Sequence, residues 1–268
     1  CQWLLAGGCH GLVLFGSTGE SASLTRPERQ GLLEALLKAG IPADRLIVGT
    51  GCPALGDTLD LTRHALANDC TRALIHPPFF FKGVSDDGLA AYYTAMIERM
   101  NDSRLRVYLY HFPQTVGAGI STGLANRLLL RFPEVVVGYK DSSGDWANTQ
   151  RVRAECPALD LYVGTESRFL ELKRAGGTGC ISASANVHAA AIAELDRQSG
   201  TAAADELQRG VAATRTALEK LPMIPAVKAA LHRIHGHDGW SRLRPPLMPI
   251  SPLQQDALAT DLRIQARS

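Results

Sequence analysis

Short apolar runs alternate with longer stretches of helical periodicity as far as Ser182. The runs are GLVLF (11–15), RLIVG (45–49), RALIH (72–76), RVYLY (106–110), VVVGYK (135–140), LYVG (161–164) and GCIS (179–182). They are continuously apolar rather than alternating, the pattern of strands covered on both faces. Between them the spacing predicts helices near 25–39, 57–68, 86–99, 122–131, 145–155 and 166–175. The first opens on TRPE, with Thr25 to cap, Pro27 in the first turn and Glu28 at the capping-box position. Strands alternating with helices of this length predict a parallel sheet.

Beyond Ser182 the pattern turns wholly helical, over 187–198, 201–219, 223–235 and 253–265, with the proline-rich break RPPLMPISP (244–252) before the last helix. The expected division is a (β/α) barrel over 1–186 and a helical region over 187–268. A closed barrel needs eight strands, and seven are legible. CQWLLAGG, at the start, reads as a helix, so the first strand is expected to lie before Cys1. The fold class is therefore α/β, a TIM (β/α)8 barrel with extra C-terminal helices; an open doubly wound sheet is the alternative.

Composition narrows the functional classes. The 268 residues suffice for one large core, since barrels commonly run to about 200–250 residues as one domain. A net charge of +2 gives no case for nucleic acid or an anionic membrane as partner. No apolar run approaches the roughly 18–20 residues that span a bilayer. The cysteines (Cys1, Cys9, Cys52, Cys70, Cys156, Cys180) are scattered without metal-type spacing, which reads as a reduced, cytoplasmic protein.

In a parallel barrel the site lies at the carboxyl ends of the strands. There the sequence places GSTGE (16–20), YHFP (110–113), Lys140, GTES (164–167) and SASAN (182–186). Among the lysines (Lys38, Lys82, Lys140, Lys173, Lys220, Lys228), only Lys140 closes a β-branched apolar run. Such a lysine is either a surface residue snorkelling into water or a Schiff-base nucleophile. Apolar surroundings disfavour the charged form of an amine, and a free amine condenses with a ketone to an imine. The protonated imine then acts as an electron sink for breaking a neighbouring C–C bond. Tyr110 is either a core aromatic or a proton relay. Ser17 and Thr18 sit in a glycine-flanked turn, either ordinarily capped or presenting N–H groups and hydroxyls to a carboxylate.

Taken together, FGSTGES, YLYHFP, VGYKDSSGD and GCISASANV resemble, in order and spacing, the dihydrodipicolinate synthase / N-acetylneuraminate lyase family, over nearly the whole chain. That resemblance implies a barrel with C-terminal helices, an imine mechanism on pyruvate or another 2-oxo acid, and a homotetramer or homodimer. It matches Lys140 to the imine lysine, Tyr110 to the proton-relay tyrosine, and Ser17 and Thr18 to the carboxylate-binding pair, with Thr18 also counted as catalytic. Gly164 and Ile181 match pocket-lining positions. Two departures stand out. Phe80, in PPFFFKG (77–83), replaces a tyrosine that in the synthases reaches a neighbouring subunit. Thr115 stands at or near the arginine that grips the second substrate's carboxylate.

The expected function is a class I aldolase or lyase acting on a small 2-oxo acid and an aldehyde, with no cofactor and no metal. The alternatives are a 2-keto-3-deoxy sugar acid dehydratase, dihydrodipicolinate (4-hydroxy-tetrahydrodipicolinate) synthase itself, and a non-catalytic 2-oxo acid sensor. HRIHGHDG (232–239) puts His232 and His235 one turn apart near His237, without a carboxylate or thiol to complete a metal site. PPFFFKG is expected to cap the site or to pack against another subunit.

Overall fold

The structure, a computed structural model, describes residues 1–264. Among the described residues, seven strands form one sheet in strict chain order: β1 (Leu12–Leu14), β2 (Leu46–Gly49), β3 (Arg72–Ile75), β4 (Arg106–His111), β5 (Val136–Asp141), β6 (Asp160–Val163) and β7 (Gly179–Cys180). The pairings from β1 to β6 are all parallel. A doubly wound sheet reverses its strand order at a switch point. The uninterrupted succession seen here is that of a (β/α) barrel.

The helices, in chain order, are α1 (Gln2–Ala6), α2 (Arg26–Lys38), α3 (Leu55–Ala67), α4 (Asp86–Met100), α5 (Pro113–Val116), α6 (Thr122–Arg131), α7 (Trp146–Glu155), α8 (Phe169–Arg174), α9 (Ala185–Arg197), α10 (Ala204–Glu219), α11 (Met223–His235) and α12 (Pro252–Asp261). α1 is the helix that CQWLLAGG predicts. α2 begins as TRPE predicts: the Thr25 backbone N–H donates to Glu28 Oε2 at 2.8 Å, and Thr25 Oγ1 accepts from the Glu28 N–H. Elsewhere the boundaries move. β1 ends at Leu14 because Phe15 turns left-handed (φ 55°). The single helix expected over 166–175 is a 3₁₀ turn (Glu166–Arg168) followed by α8. α12 stops at Asp261; the final residue of the helix expected over 253–265 lies outside the described residues.

The chain forms two compact units. The first, mainly residues 10–164 with 172–179, holds β1 to β6 and α2 to α7. One inner cluster of this unit joins Leu74, Tyr108 and Tyr110, with Val13, Ile47, Phe112, Val137 and Tyr162 against them. Gly138, in register with Tyr108, makes room for that ring: an added Cβ would lie 2.1 Å from it. Gly138→Ala is expected to destabilise by roughly 1–3 kcal/mol through overpacking, seen as a lowered thermal midpoint with the far-ultraviolet spectrum unchanged.

The second unit, residues 2–9, 165–171 and 180 onward, is helical. One of its cores packs Leu218, Ala226, Val227, Ala230, Leu231, Ile250 and Leu258; another packs Phe169, Leu170, Ile192, Leu195, Ala204 and Val211. A buried polar knot sits within it. Glu166 is fully buried and accepts hydrogen bonds from Ser182 Oγ, Ser184 Oγ and, at 2.8 Å, His188 Nε2, with Arg215 at 3.8 Å. Burial opposes the charge, but the His188, Ser182 and Ser184 hydrogen bonds outweigh it and hold the carboxyl below its ordinary range.

Candidate active site

Lys140, Tyr110 and Ser17 come together in the first unit. Lys140 is the fifth residue of β5 and only 7% exposed. Register pairs it with Tyr110 on β4 and with Tyr162 on β6, so all three side chains share one face of the sheet. The lysine Nζ lies 4.2 Å from the centre of the Tyr110 ring. The Tyr110 hydroxyl lies 3.4 Å from Ser17 Oγ. A cation against an aromatic face is attractive on its own account. Here it also fixes where the amine stands: folded over the tyrosine of the neighbouring strand, away from bulk water.

The turn carrying Ser17 and Thr18 is shaped by backbone geometry. Phe15 and Glu20 both take positive φ (55° and 54°), and the Glu20 N–H donates to the Ser17 carbonyl at 3.1 Å. Ser17 and Thr18 are half-buried between them. Gly49 lets β2 approach this turn, for an added Cβ there would meet the Phe15 carbonyl oxygen at 2.3 Å.

The residues after Lys140 lock the strand end in place. Asp141 points to the opposite face, is buried, and accepts from the Ser143 N–H (2.9 Å), Ser143 Oγ (2.6 Å), Asn148 Nδ2 (2.9 Å) and Thr149 Oγ1 (2.8 Å). Four donors on one buried carboxylate tie DSSGD and the first turn of α7 to β5. On the same outward face His111 stacks on Tyr139, ring centres 5.8 Å apart. His111 Nδ1 accepts the Ile120 N–H at 2.9 Å, and the Tyr139 hydroxyl donates to the Ile120 carbonyl at 2.6 Å. These bonds pin the 112–120 loop to β4 and β5.

Burial pushes the His111 imidazole below its ordinary range, against the pull of Asp141. An unfolded histidine takes up its proton near pH ~6.5, whereas the folded one resists, so the stability His111 contributes is complete above that pH and declines as pH falls below it. The thermal midpoint of the wild-type chain is expected to drop between pH 7 and pH 5 by more than that of His111→Gln, measured side by side.

The remaining expected positions are more dispersed. Gly164 follows β6 directly; its N–H donates to the Asp141 carbonyl at 2.6 Å, and an added Cβ would strike Ser142 Oγ at 2.1 Å. Thr115 is exposed on α5, a one-turn helix that the sequence pattern did not predict. Ile181 follows β7 in the second unit and is half-buried. Phe80 and Phe81 project, 75% and 67% exposed, with rings edge to face at 5.6 Å. Lys82 folds back onto the carbonyls of Phe79 and, at 3.1 Å, Val116.

Among the described residues, no group of three or more His, Cys, Asp or Glu side chains is placed to hold a metal ion. In HRIHGHDG, His232 Nδ1 donates to the His237 carbonyl at 3.2 Å, and the His235 ring packs between Trp3 and Trp240. None of the six cysteines is in a disulfide. No helix among the described residues is long and apolar enough to cross a membrane.

Two side chains of the site escaped the sequence reading. Tyr162 pairs with Lys140 from β6. His76 follows β3, one residue past the Ile75–Leu109 pair, and its ring centre lies 6.5 Å from that of Tyr110. The signal for His76 was present in RALIH, a strand-end residue with a titratable side chain.

The sequence profile of the Dihydrodipicolinate synthetase family matches residues 1–265. The chain belongs to that family. It is 32% identical over 266 residues to an uncharacterized DapA-like lyase of Chloroflexus aurantiacus, covering 96% of this chain and 85% of that one. It is 29% identical over 269 residues to a 4-hydroxy-tetrahydrodipicolinate synthase of Prochlorococcus marinus (strain MIT 9303), covering 97% and 85%. The crystal structure of dihydrodipicolinate synthase from Agrobacterium tumefaciens superposes with a TM-score of 0.89 at 32% identity, covering 98% of this chain and 89% of that one. As a dihydrodipicolinate synthetase family member the chain is an enzyme of the lyase type with a TIM-barrel-type fold and a small-molecule substrate.

Proposed function

We propose that this enzyme is a class I aldolase that cleaves or forms a C–C bond at the carbon next to the keto group of pyruvate or another 2-oxo acid. The observation that carries this reading is Lys140 Nζ, buried and folded over Tyr110, whose hydroxyl faces Ser17. In the cleavage direction the neutral amine attacks the keto carbon, water leaves, and a protonated imine forms. Electrons of the scissile bond flow into that imine, giving an enamine and an aldehyde. Protonation and hydrolysis then release the 2-oxo acid and restore the amine. Tyr110 moves protons during imine formation and C–C cleavage, and Ser17 and Thr18 hold the carboxylate through hydroxyls and backbone N–H groups.

Relatives named as 4-hydroxy-tetrahydrodipicolinate synthases favour that activity as a second reading. Two residues speak against it. Phe80 carries no hydroxyl to pass a proton, and Thr115 cannot supply a bidentate cation for a second carboxylate. The exposed Phe80–Phe81 pair suits contact with a second copy in a homodimer or homotetramer, and six cysteines outside any disulfide suit the reducing cytoplasm.

The test is a substrate panel. Pyruvate release from 4-hydroxy-2-oxo acids should exceed turnover of pyruvate with aspartate semialdehyde. The reverse ranking would favour the synthase, and loss of water without pyruvate release would favour a sugar acid dehydratase.

A further inference from the structure

The geometry points to a second working group in this site. We propose that His76 Nε2 accepts the proton of the hydroxyl on the carbon that leaves as the aldehyde, and returns it in the condensation direction. This assignment rests on the aldolase reading above.

Ile75 pairs with Leu109, so the next residue, His76, stands opposite Tyr110, and Tyr110 pairs with Lys140. By the alternation of strands, His76, Tyr110 and Lys140 share one face, with the tyrosine between the other two. Neighbouring strands run about 4.8 Å apart, so roughly 10 Å separates the backbones of His76 and Lys140. The lysine spans part of that gap, its Nζ reaching 4.2 Å from the Tyr110 ring centre. An imine carbon on that nitrogen therefore lies over the tyrosine, and the chain of a short 2-oxo acid extends onward toward β3.

His76 Nδ1 lies 2.8 Å from the Pro77 carbonyl oxygen. A carbonyl only accepts, so Nδ1 carries the hydrogen, and in the neutral ring Nε2 keeps its lone pair. The imidazole is held on two sides. The Phe79 ring meets it edge-on at 5.4 Å, and Gly51 leaves the space it fills, since an added Cβ there would stand 3.0 Å from the ring. Burial pushes this imidazole below its ordinary range, which favours the neutral, proton-accepting form.

The step balances. The O–H bond of the substrate breaks and its proton goes to Nε2. The C–O bond becomes a carbonyl, and the C–C electron pair enters the imine as an enamine. No oxidant or further reactant is needed.

The experiment separates the two halves of the reaction in the full-length chain. Imine formation is followed by borohydride trapping with pyruvate, enamine formation by deuterium exchange into the pyruvate methyl group, and cleavage by pyruvate release from 4-hydroxy-2-oxoglutarate. For His76→Leu and His76→Gln, trapping and exchange should stay within about twofold of wild type. Cleavage should fall on the order of 10²–10⁴-fold, the range for loss of a general base. Unchanged cleavage would overturn the assignment, and so would a parallel fall of all three readouts, which would mark His76 as a support for the site's shape. Failure of the wild-type chain to trap pyruvate would instead count against the aldolase reading itself.

Discussion

Lys140→Ala is expected to lower turnover of the preferred 2-oxo acid by roughly 10⁴–10⁶-fold, the scale on which single knockouts of a covalent catalytic unit act. Two of the other lysines are already engaged. Lys82, on the loop after β3, is committed to the carbonyls of Phe79 and Val116, and Lys220 pairs with Asp261 at 2.8 Å. The fold should persist, because the strand end is held by the four hydrogen bonds to Asp141 on the other face. Steady-state kinetics together with an unchanged circular dichroism spectrum provide the check. A loss smaller than about tenfold would mean that the amine takes no covalent part. Lys140→Arg should be equally inactive, since a guanidinium is always protonated and cannot form the imine.

Tyr110→Phe should cost turnover on the order of 10²–10⁴-fold. The substitution removes only the hydroxyl that faces Ser17 Oγ at 3.4 Å. The ring stays, still stacked on Phe112 with centres 5.7 Å apart and still beneath the lysine. Packing and the cation–aromatic contact are thus preserved, and the loss reports on proton movement. Slower trapping of pyruvate by the variant would place the hydroxyl at imine formation. Trapping at the wild-type rate with slow cleavage would place it at the later step instead.

The strand pattern was legible because both faces of a parallel sheet are covered, so every strand from β1 to β6 announces itself as an apolar run. Lys140 was legible for the same reason, as the charge that closes VVVGYK. His76 offered only its place at the end of RALIH, and its meaning arises when packing sets its ring beside Tyr110. α5 escaped because four residues are too few to show a helical period. The Glu166 knot escaped because its members are far apart in the chain: Glu166, Ser182, Ser184, His188 and Arg215 meet only through the packing of the helical unit. Helix ends shifted where a local turn, such as the 3₁₀ segment at Glu166–Arg168, took over the first residues of an expected helix.

Borohydride reduction of the wild-type chain in the presence of pyruvate, followed by peptide mapping by mass spectrometry, addresses the central claim most directly. One reduced pyruvate adduct per chain is expected, on the peptide that contains Lys140, and Lys140→Ala should abolish it. No adduct under conditions of full turnover, or an adduct on Lys38, Lys82, Lys173, Lys220 or Lys228 instead, would contradict the assignment of Lys140 as the imine-forming residue.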